Sequence, residues 1–304
     1  MVKVRTVLGD LSAGELGVTD SHDHLFFRSA LLPGQELDDP EAALQEAKDF
    51  AAAGGRTIVQ WTPYGLGRGA EWLPEIAKSA GVHVVAATGF HRADHYAAEV
   101  VAEVRPRLAE LFVRELTDGI GDTGVKAGMI KVAGGFHVLD AHAREVLIAA
   151  AEAHHATGAP IGIHHELGSG ADAVLELLVD DRGVPPTSVI LGHLNRFPDH
   201  ELHLEVAARG AFLAFDGPSR ANNATDPHLF ECLGALVDAG YAGQLLLGGD
   251  TTTAKARGAT GEGPGMPYLL TGLRPRLIRR FGEEFAADMF VANPARAFAA
   301  PWAG

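Results

Sequence analysis

The chain has 304 residues, enough for one large domain with a full core or two ordinary ones, and its 47% hydrophobic and 21% charged content is that of a globular protein. A net charge of −14 excludes the basic face that nucleic acid demands, and the most basic run, RPRLIRR (274–280), is broken by Pro and Leu and reads as the cationic end of a helix. The single cysteine, Cys232, excludes an intrachain disulfide, no stretch of about 18 apolar residues predicts a membrane span, and the N-terminus lacks a signal-peptide core, so a cytoplasmic protein is expected.

In chain order, the first apolar run is GVTDSHDHL (17–25). His22 and His24 stand at i and i+2, a spacing that points both imidazoles the same way on a strand and suits a metal ion. An Ala- and Glu-rich helix, PEAALQEAKDFAAAGG (40–55), follows the cap signal DDPEA. RTIVQWTP (56–63) then ends near Trp61 and Tyr64, and VHVVAATGF (82–90) runs into His91. All three are aromatic candidates for a pocket lining. AGMIKVAGG (127–135) carries Lys131 inside an apolar strand. The helix DAHAREVLIAAAEAHHATG (140–158) should start at a capping Asp140 and end at Gly158, with His154 a cationic end and His155 a surface residue. APIGIHHEL (159–167) ends in His164, SVILGHLN (188–195) in His193, AFLAFDG (211–217) in Asp216, and QLLLGGDT (244–251) in Asp250. Between these lie the helix DHELHLEVAARG (199–210), where His200 and His203 are an improbable second metal site, and TDPHLFECLGALVDAG (225–240), where an Asp cap and a buried structural Cys232 are expected.

Eight strand runs alternating with helical stretches predict parallel strands covered by helices. Eight such units over about 250 residues fit a single-domain (β/α)8 TIM barrel spanning 1–304. An open doubly wound sheet is the alternative, but it wants a Gly-rich phosphate turn after its first strand, and HDHLFF is not one.

In a (β/α)8 barrel the chemistry sits at the C-terminal strand ends. There the chain places His22, His24, Lys131, His164, His193 and Asp250. One histidine at a strand end is more often a packed core residue than a ligand, and one Asp often caps a helix. A buried Lys is harder to dismiss, because an unpaired ammonium costs several kcal/mol in a low-dielectric interior. A buried lysine is a nucleophilic amine that can take up carbon dioxide as a carbamate, an anionic two-oxygen ligand. A Schiff-base lysine is the competing reading, but it needs none of the four histidines.

The set HDH, IKVAGG, GIHHE, LGHLNR and GGD, with NPARAFA (293–299), resembles the phosphotriesterase family of the amidohydrolase superfamily, over about residues 8 to 299. The resemblance implies a (β/α)8 barrel with two divalent ions, Zn first, with Mn, Co or Ni as alternatives. His22, His24 and Asp250 would hold the more buried ion and His164 and His193 the more exposed one, with a carbamate on Lys131 bridging both. His164 rather than His165 is the ligand, since its neighbour points to the opposite side. The implied chemistry is hydrolysis of a lactone or related carboxylic ester by a hydroxide shared between the ions, with Asp250 accepting the proton. Cleavage of an N-acyl bond or of a phosphotriester by the same centre are the alternatives.

FDGPSR (215–220), GHLNRFPD (192–199) and the long loop TTTAKARGATGEGPGMPYL (251–269) look most like the sugar-lactone and phosphorylated-lactone branch. Small neutral residues around Ala221–Asn223 leave phosphorylated and unphosphorylated substrates both open. Candidate substrate-binding residues are Tyr64, His91, Arg196, Arg220 and Lys255, with Arg257 read as a loop-structuring cation and Asp216 as a ligand-orienting or turn-capping residue. A small-molecule substrate is expected, no nucleic-acid or membrane partner, and a homodimer as the resemblance implies.

Overall fold

All eight apolar runs are strands. They are β3 (Thr19–Asp23), β4 (Thr57–Gln60), β5 (His83–Thr88), β6 (Met129–Ala133), β7 (Ile161–His164), β8 (Val189–Leu191), β9 (Phe212–Asp216) and β10 (Leu245–Gly248). They pair in parallel and in chain order, giving the expected (β/α)8 barrel in a computed structural model that describes residues 2–219, 222–260 and 263–302. The covering helices are α1 (Pro40–Ala52), α2 (Leu73–Ala80), α3 (Ala98–Val104), α4 (Leu108–Thr117), α5 (Ala141–Thr157), α6 (Ala171–Leu175), α7 (His200–Ala208), α8 (Leu229–Asp238), α9 (Arg274–Phe281), α10 (Glu283–Ala287) and α11 (Asn293–Ala297). No helix among the described residues is long and apolar enough to cross a membrane.

The strands are apolar on both sides because both sides are buried. Ile58, Val84, Ile130, Val132, Ile161, Ile163, Leu213, Phe215, Leu245 and Leu247 face the helices. Alternate residues, Val59, Trp61, Val85, Met129, Ile190, Ala214 and Leu246, fill the barrel interior. Each such side chain contributes about 1.5–3 kcal/mol on burial. An antiparallel hairpin that the sequence reading did not anticipate, β1 (Lys3–Thr6) with β2 (Gly9–Ser12), closes the end opposite the site. Its Val4 and the following Leu16 join the interior cluster.

Three cap expectations divide. Asp39 accepts from Glu41 N at 2.8 Å and Asp140 from Ala143 N at 2.7 Å, as predicted, with left-handed Gly158 (φ 79°) ending α5. Asp226 of TDPHL caps no helix. Its carboxylate takes Arg196 Nη1 at 2.6 Å and Ser219 N at 2.7 Å instead. His154 is not a cationic helix end either. It is buried, donates from Nδ1 to Ala159 O at 2.7 Å, and burial pushes its pKa down. His155 is exposed, as expected. Cys232 is fully buried and its thiol is pushed up to about 12, so it is structural.

His203, on α7, is 1% exposed and donates from Nε2 to Leu194 O at 3.1 Å. Burial holds its pKa at about 4. The folded ring therefore stays neutral while the unfolded ring, near 6.5, takes up a proton. Stability is fully present above pH 6.5 and falls as pH drops towards 4, by on the order of 3 kcal/mol for this group. Urea midpoints measured from pH 7 to 4.5 should fall more gently in His203→Gln, which keeps an N–H donor and cannot titrate. An unchanged slope would sink this assignment.

Candidate metal centre

At the C-terminal strand ends the barrel gathers the polar residues. His22 and His24 extend from β3 towards the axis, and the His22 ring stacks on Trp61 at 3.9 Å between centroids and 19° between planes. Asp250, two residues past β10, places Oδ1 3.7 Å from His22 Nε2 and 3.6 Å from His24 Nε2. His193 follows β8 by two residues. Strand alternation would turn its ring outward, but a left-handed backbone (φ 63°) swings it back, 4.7 Å from the His22 ring and 4.5 Å from the His164 ring. Asp250 is also left-handed (φ 49°). Non-glycine residues in this region cost about 1–3 kcal/mol each and persist where the surroundings over-determine them.

Second contacts set which ring nitrogens are free. Thr62 Oγ1 donates to Phe26 O at 2.5 Å, so it must accept from His24 Nδ1–H at 2.7 Å. His24 Nε2 is then a lone pair facing the Asp250 carboxylate, and a distance of 3.6 Å between two acceptors is no hydrogen bond. Asp216 Oδ2 accepts from His193 Nδ1 at 2.7 Å, which leaves Nε2 as the nitrogen without that partner. His22 Nδ1 and Asp216 Oδ1 are buried without partners, 3.6 Å apart. Two sets of ligating atoms, His22/His24/Asp250 and His22/His193/Asp216, each lie within 4.8 Å of one another. A buried cluster of imidazole nitrogens and carboxylate oxygens, two of them without a partner, is what a cation stabilises, so the residues present fit a divalent ion.

The electrostatics agree. Burial pushes His22 well below the usual imidazole range and keeps it uncharged. Burial raises the Asp250 carboxyl, but the nearby His193 outweighs it and holds the group well below the carboxylate range. For His193 burial pushes down, and Asp216 with Asp250 pushes up harder. Lys131 points inward from β6, 2% exposed, and burial lowers its ammonium to about 7. A half-deprotonated amine at neutral pH is a nucleophile. Gly89, at φ 115°, lies so close that a Cβ there would stand 1.9 Å from Lys131 O.

Other expectations sort by what each side chain touches. His164 lies beside the cluster, but its Nε2 bonds Glu166 Oε2 at 3.1 Å. Glu166 also pairs with Arg92, and the two partners hold its carboxyl at about 2. His165 turns away and bonds Ser169 O. His91 is buried, 4.6 Å from the His164 ring. Lys255 lines a cavity of about 250 Å³ with Gln35, Ser219, Asp250, Thr251 and Thr253. Neither ligating set among the described residues includes His200 or His203.

The remaining candidates are placed by their contacts. Trp61 is fully buried beneath His22 and lines no pocket, and its indole N–H is used by Ser21 O at 2.8 Å. Tyr64 is half-buried, packed under Arg68 and near Phe90. Arg196 is taken up by protein partners. It is buried, and its fork is used by Asp216 (3.2 Å), Asp226 (2.6 Å) and Gly217 O (3.3 Å). Asp216 orients His193 rather than a turn or substrate. Arg257, buried, binds the carbonyls of His24 and Leu25 and structures the loop as expected. Arg220 lies outside the described residues.

Sequence reading missed the supports. Thr62, Asn195, Asp20 and Thr251 hold ligands or their strands. One signal was present: two further carboxylates, Asp20 and Asp23, in an otherwise buried run. Both are fully buried, and burial raises both carboxyls. Their Oδ2 atoms have no donor, so one proton shared between them satisfies both.

Comparison with known proteins agrees with this geometry. A profile of the Phosphotriesterase family matches residues 2–298. The chain is 31% identical to a phospho-furanose lactonase of Mycoplasmopsis synoviae, over 97% of this chain and 91% of that one. It is 28% identical to an N-acetyltaurine hydrolase of Salmo salar, over 97% of each. Among solved structures, a lactonase from Listeria monocytogenes superposes with a TM-score of 0.89 at 30% identity, covering 97% of this chain and 98% of that one.

Proposed function

The chain belongs to the phosphotriesterase family and is a hydrolase, and from that premise we propose that it is a binuclear metal-dependent lactonase acting on a small-molecule lactone or related carboxylic ester. The observation that carries the reading is the convergence of His22, His24, His193 and Asp250 beside a buried lysine whose pKa is about 7.

His22, His24 and Asp250 would hold one divalent ion, and His193 with His164 the other. Zn is favoured, with Mn, Co or Ni accepted by the same donors. For His164 this requires Glu166 to yield its hydrogen bond to Nε2. Lys131 would serve both ions as a carbamate: its free amine adds to the carbon of CO₂, a proton leaves, and the ammonium's repulsion becomes an anion's attraction. When bound, the ions supply activation of water near neutral pH and Lewis-acid polarisation of the scissile carbonyl. Asp250, ionised at neutral pH, can accept the proton that water loses and return it to the leaving alkoxide. Thr62 and Asp216, each bonded to a ring Nδ1, would hold the rings of His24 and His193 in place throughout. His91 beside His164 and Lys255 in the adjoining cavity are the substrate contacts that remain.

The likeness to an N-acetyltaurine hydrolase favours a second reading, cleavage of an N-acyl bond at the same centre. One experiment separates the two. Chelator-treated protein should lose all turnover and recover it with Zn or Mn plus bicarbonate. A panel of γ- and δ-lactones, phosphorylated and not, N-acyl amino acids and one aryl phosphotriester should then show lactones fastest. Amides turned over faster would move the protein to the second reading. No metal uptake and no turnover on any substrate would end both.

A further inference from the structure

The barrel's seam between β10 and β3 is not closed by an ordinary ladder. Three consecutive amides after β10 are each taken by a group of β3. Gly249 N donates to Asp20 Oδ1 at 3.1 Å, Asp250 N to His22 O at 2.9 Å, and Thr251 N to Asp23 Oδ1 at 3.0 Å. The Thr251 hydroxyl also donates to Asp23 Oδ1. The same two carboxylates brace β3 itself, Asp20 Oδ1 taking His22 N at 3.3 Å and Asp23 Oδ1 taking His24 N at 2.7 Å.

On a regular strand, residues three apart face opposite sides. The pairing of β3 with β4 is irregular between Asp20 and Asp23, and the two carboxyls come together against the Cα of Gly249. A Cβ at that position would stand 2.2 Å from Asp23 Oδ2. The left-handed turn at Asp250 is thus gripped on both flanks by side chains that also hold the backbones of His22 and His24.

We infer that Asp20 and Asp23 are the positioning residues of Asp250, a two-carboxylate clamp that locks its strained backbone against His22 and His24 and so sets the inner site's affinity for a divalent cation. The affinity clause rests on the metal reading above; the clamp itself does not.

The test uses the whole chain, metal-free, in two measurements. Hydrogen exchange should show the amides of Gly249, Asp250 and Thr251 protected. In Asp20→Ala that protection should drop at least about tenfold while that of α5 is unchanged. Zn²⁺ affinity, from competition with a chromogenic chelator, should weaken about 10- to 100-fold in Asp20→Ala, the range expected for removing a support of a ligand. Asp20→Asn keeps an acceptor for Gly249 N and supplies an N–H to Asp23, so it should stay within about threefold of wild type. A folded Asp20→Ala with wild-type affinity overturns the inference. So does Asp20→Asn losing as much as Asp20→Ala, which would make the effect one of charge and not of clamping. If Asp20→Ala does not fold, Thr251→Val, which removes only the hydroxyl donor to Asp23, should shift both readouts in the same direction, and no shift overturns the clamp. Wild type binding no Zn²⁺ overturns the metal reading, and the exchange pattern then decides the clamp alone.

Discussion

Asp250→Asn is expected to lower kcat/KM on the best lactone about 10²- to 10⁴-fold, the span a positioned general base contributes. The amide keeps an oxygen for the cation and loses the capacity to take a proton. Burial would raise this carboxyl, but the nearby His193 holds it well below its ordinary range, so it is ionised across the working pH. The loss should therefore appear in kcat with metal content near that of wild type, and it should shrink on lactones with more acidic leaving alcohols, which need less help in departing. A variant that retains full kcat would remove Asp250 from proton transfer and leave it a ligand only. Loss of metal together with activity would say the same.

Lys131→Ala is expected to bind at most one ion per chain instead of about two, and to lose essentially all turnover. The reason lies in burial. Lys131 sits 2% exposed on the interior face of β6, where an ammonium is destabilised to a pKa of about 7. Uncharged, it is only an amine; carboxylated, it is the anion that four imidazoles and one carboxylate lack for two dications. Metal analysis of the purified variant checks the count. Growth with ¹³C-bicarbonate should add a carbamate carbon signal to wild type that is missing from the variant. Two ions and undiminished turnover in Lys131→Ala would refute the bridging role, and wild type with metal but no such signal would refute the carbamate.

The positions of the ligand candidates were legible because strand ends in this fold project to one place. Lys131, His164 and Asp250 each follow an apolar run whose inward parity can be counted from its neighbours, Met129, Gly162 and Leu246. His193 illustrates the limit. Counted from Ile190, its ring belongs outside, and only the left-handed backbone at that residue returns it to the cluster. Arg196 shows the same limit for charge. A basic residue beside a ligand reads as an anion binder, yet its donors are spent on Asp216 and Asp226, twenty and thirty positions away. The N-terminal hairpin escaped notice because its strands are only four residues each and mostly polar on one of them.

By itself the sequence determined the barrel, the order of its strands and the six ligand candidates, since alternation of apolar runs with capped helices is a local property and strand parity carries it to the site. Tertiary structure alone decided which groups support those ligands: the Thr62 and Asp216 bonds that choose ring tautomers, the Glu166 contact at His164, and the Asp20–Asp23 clamp across the seam. These join residues up to 229 positions apart. A hydrogen bond depends on a few tenths of an ångström and on a local irregularity of one strand, and neither leaves a periodic trace in the order of amino acids.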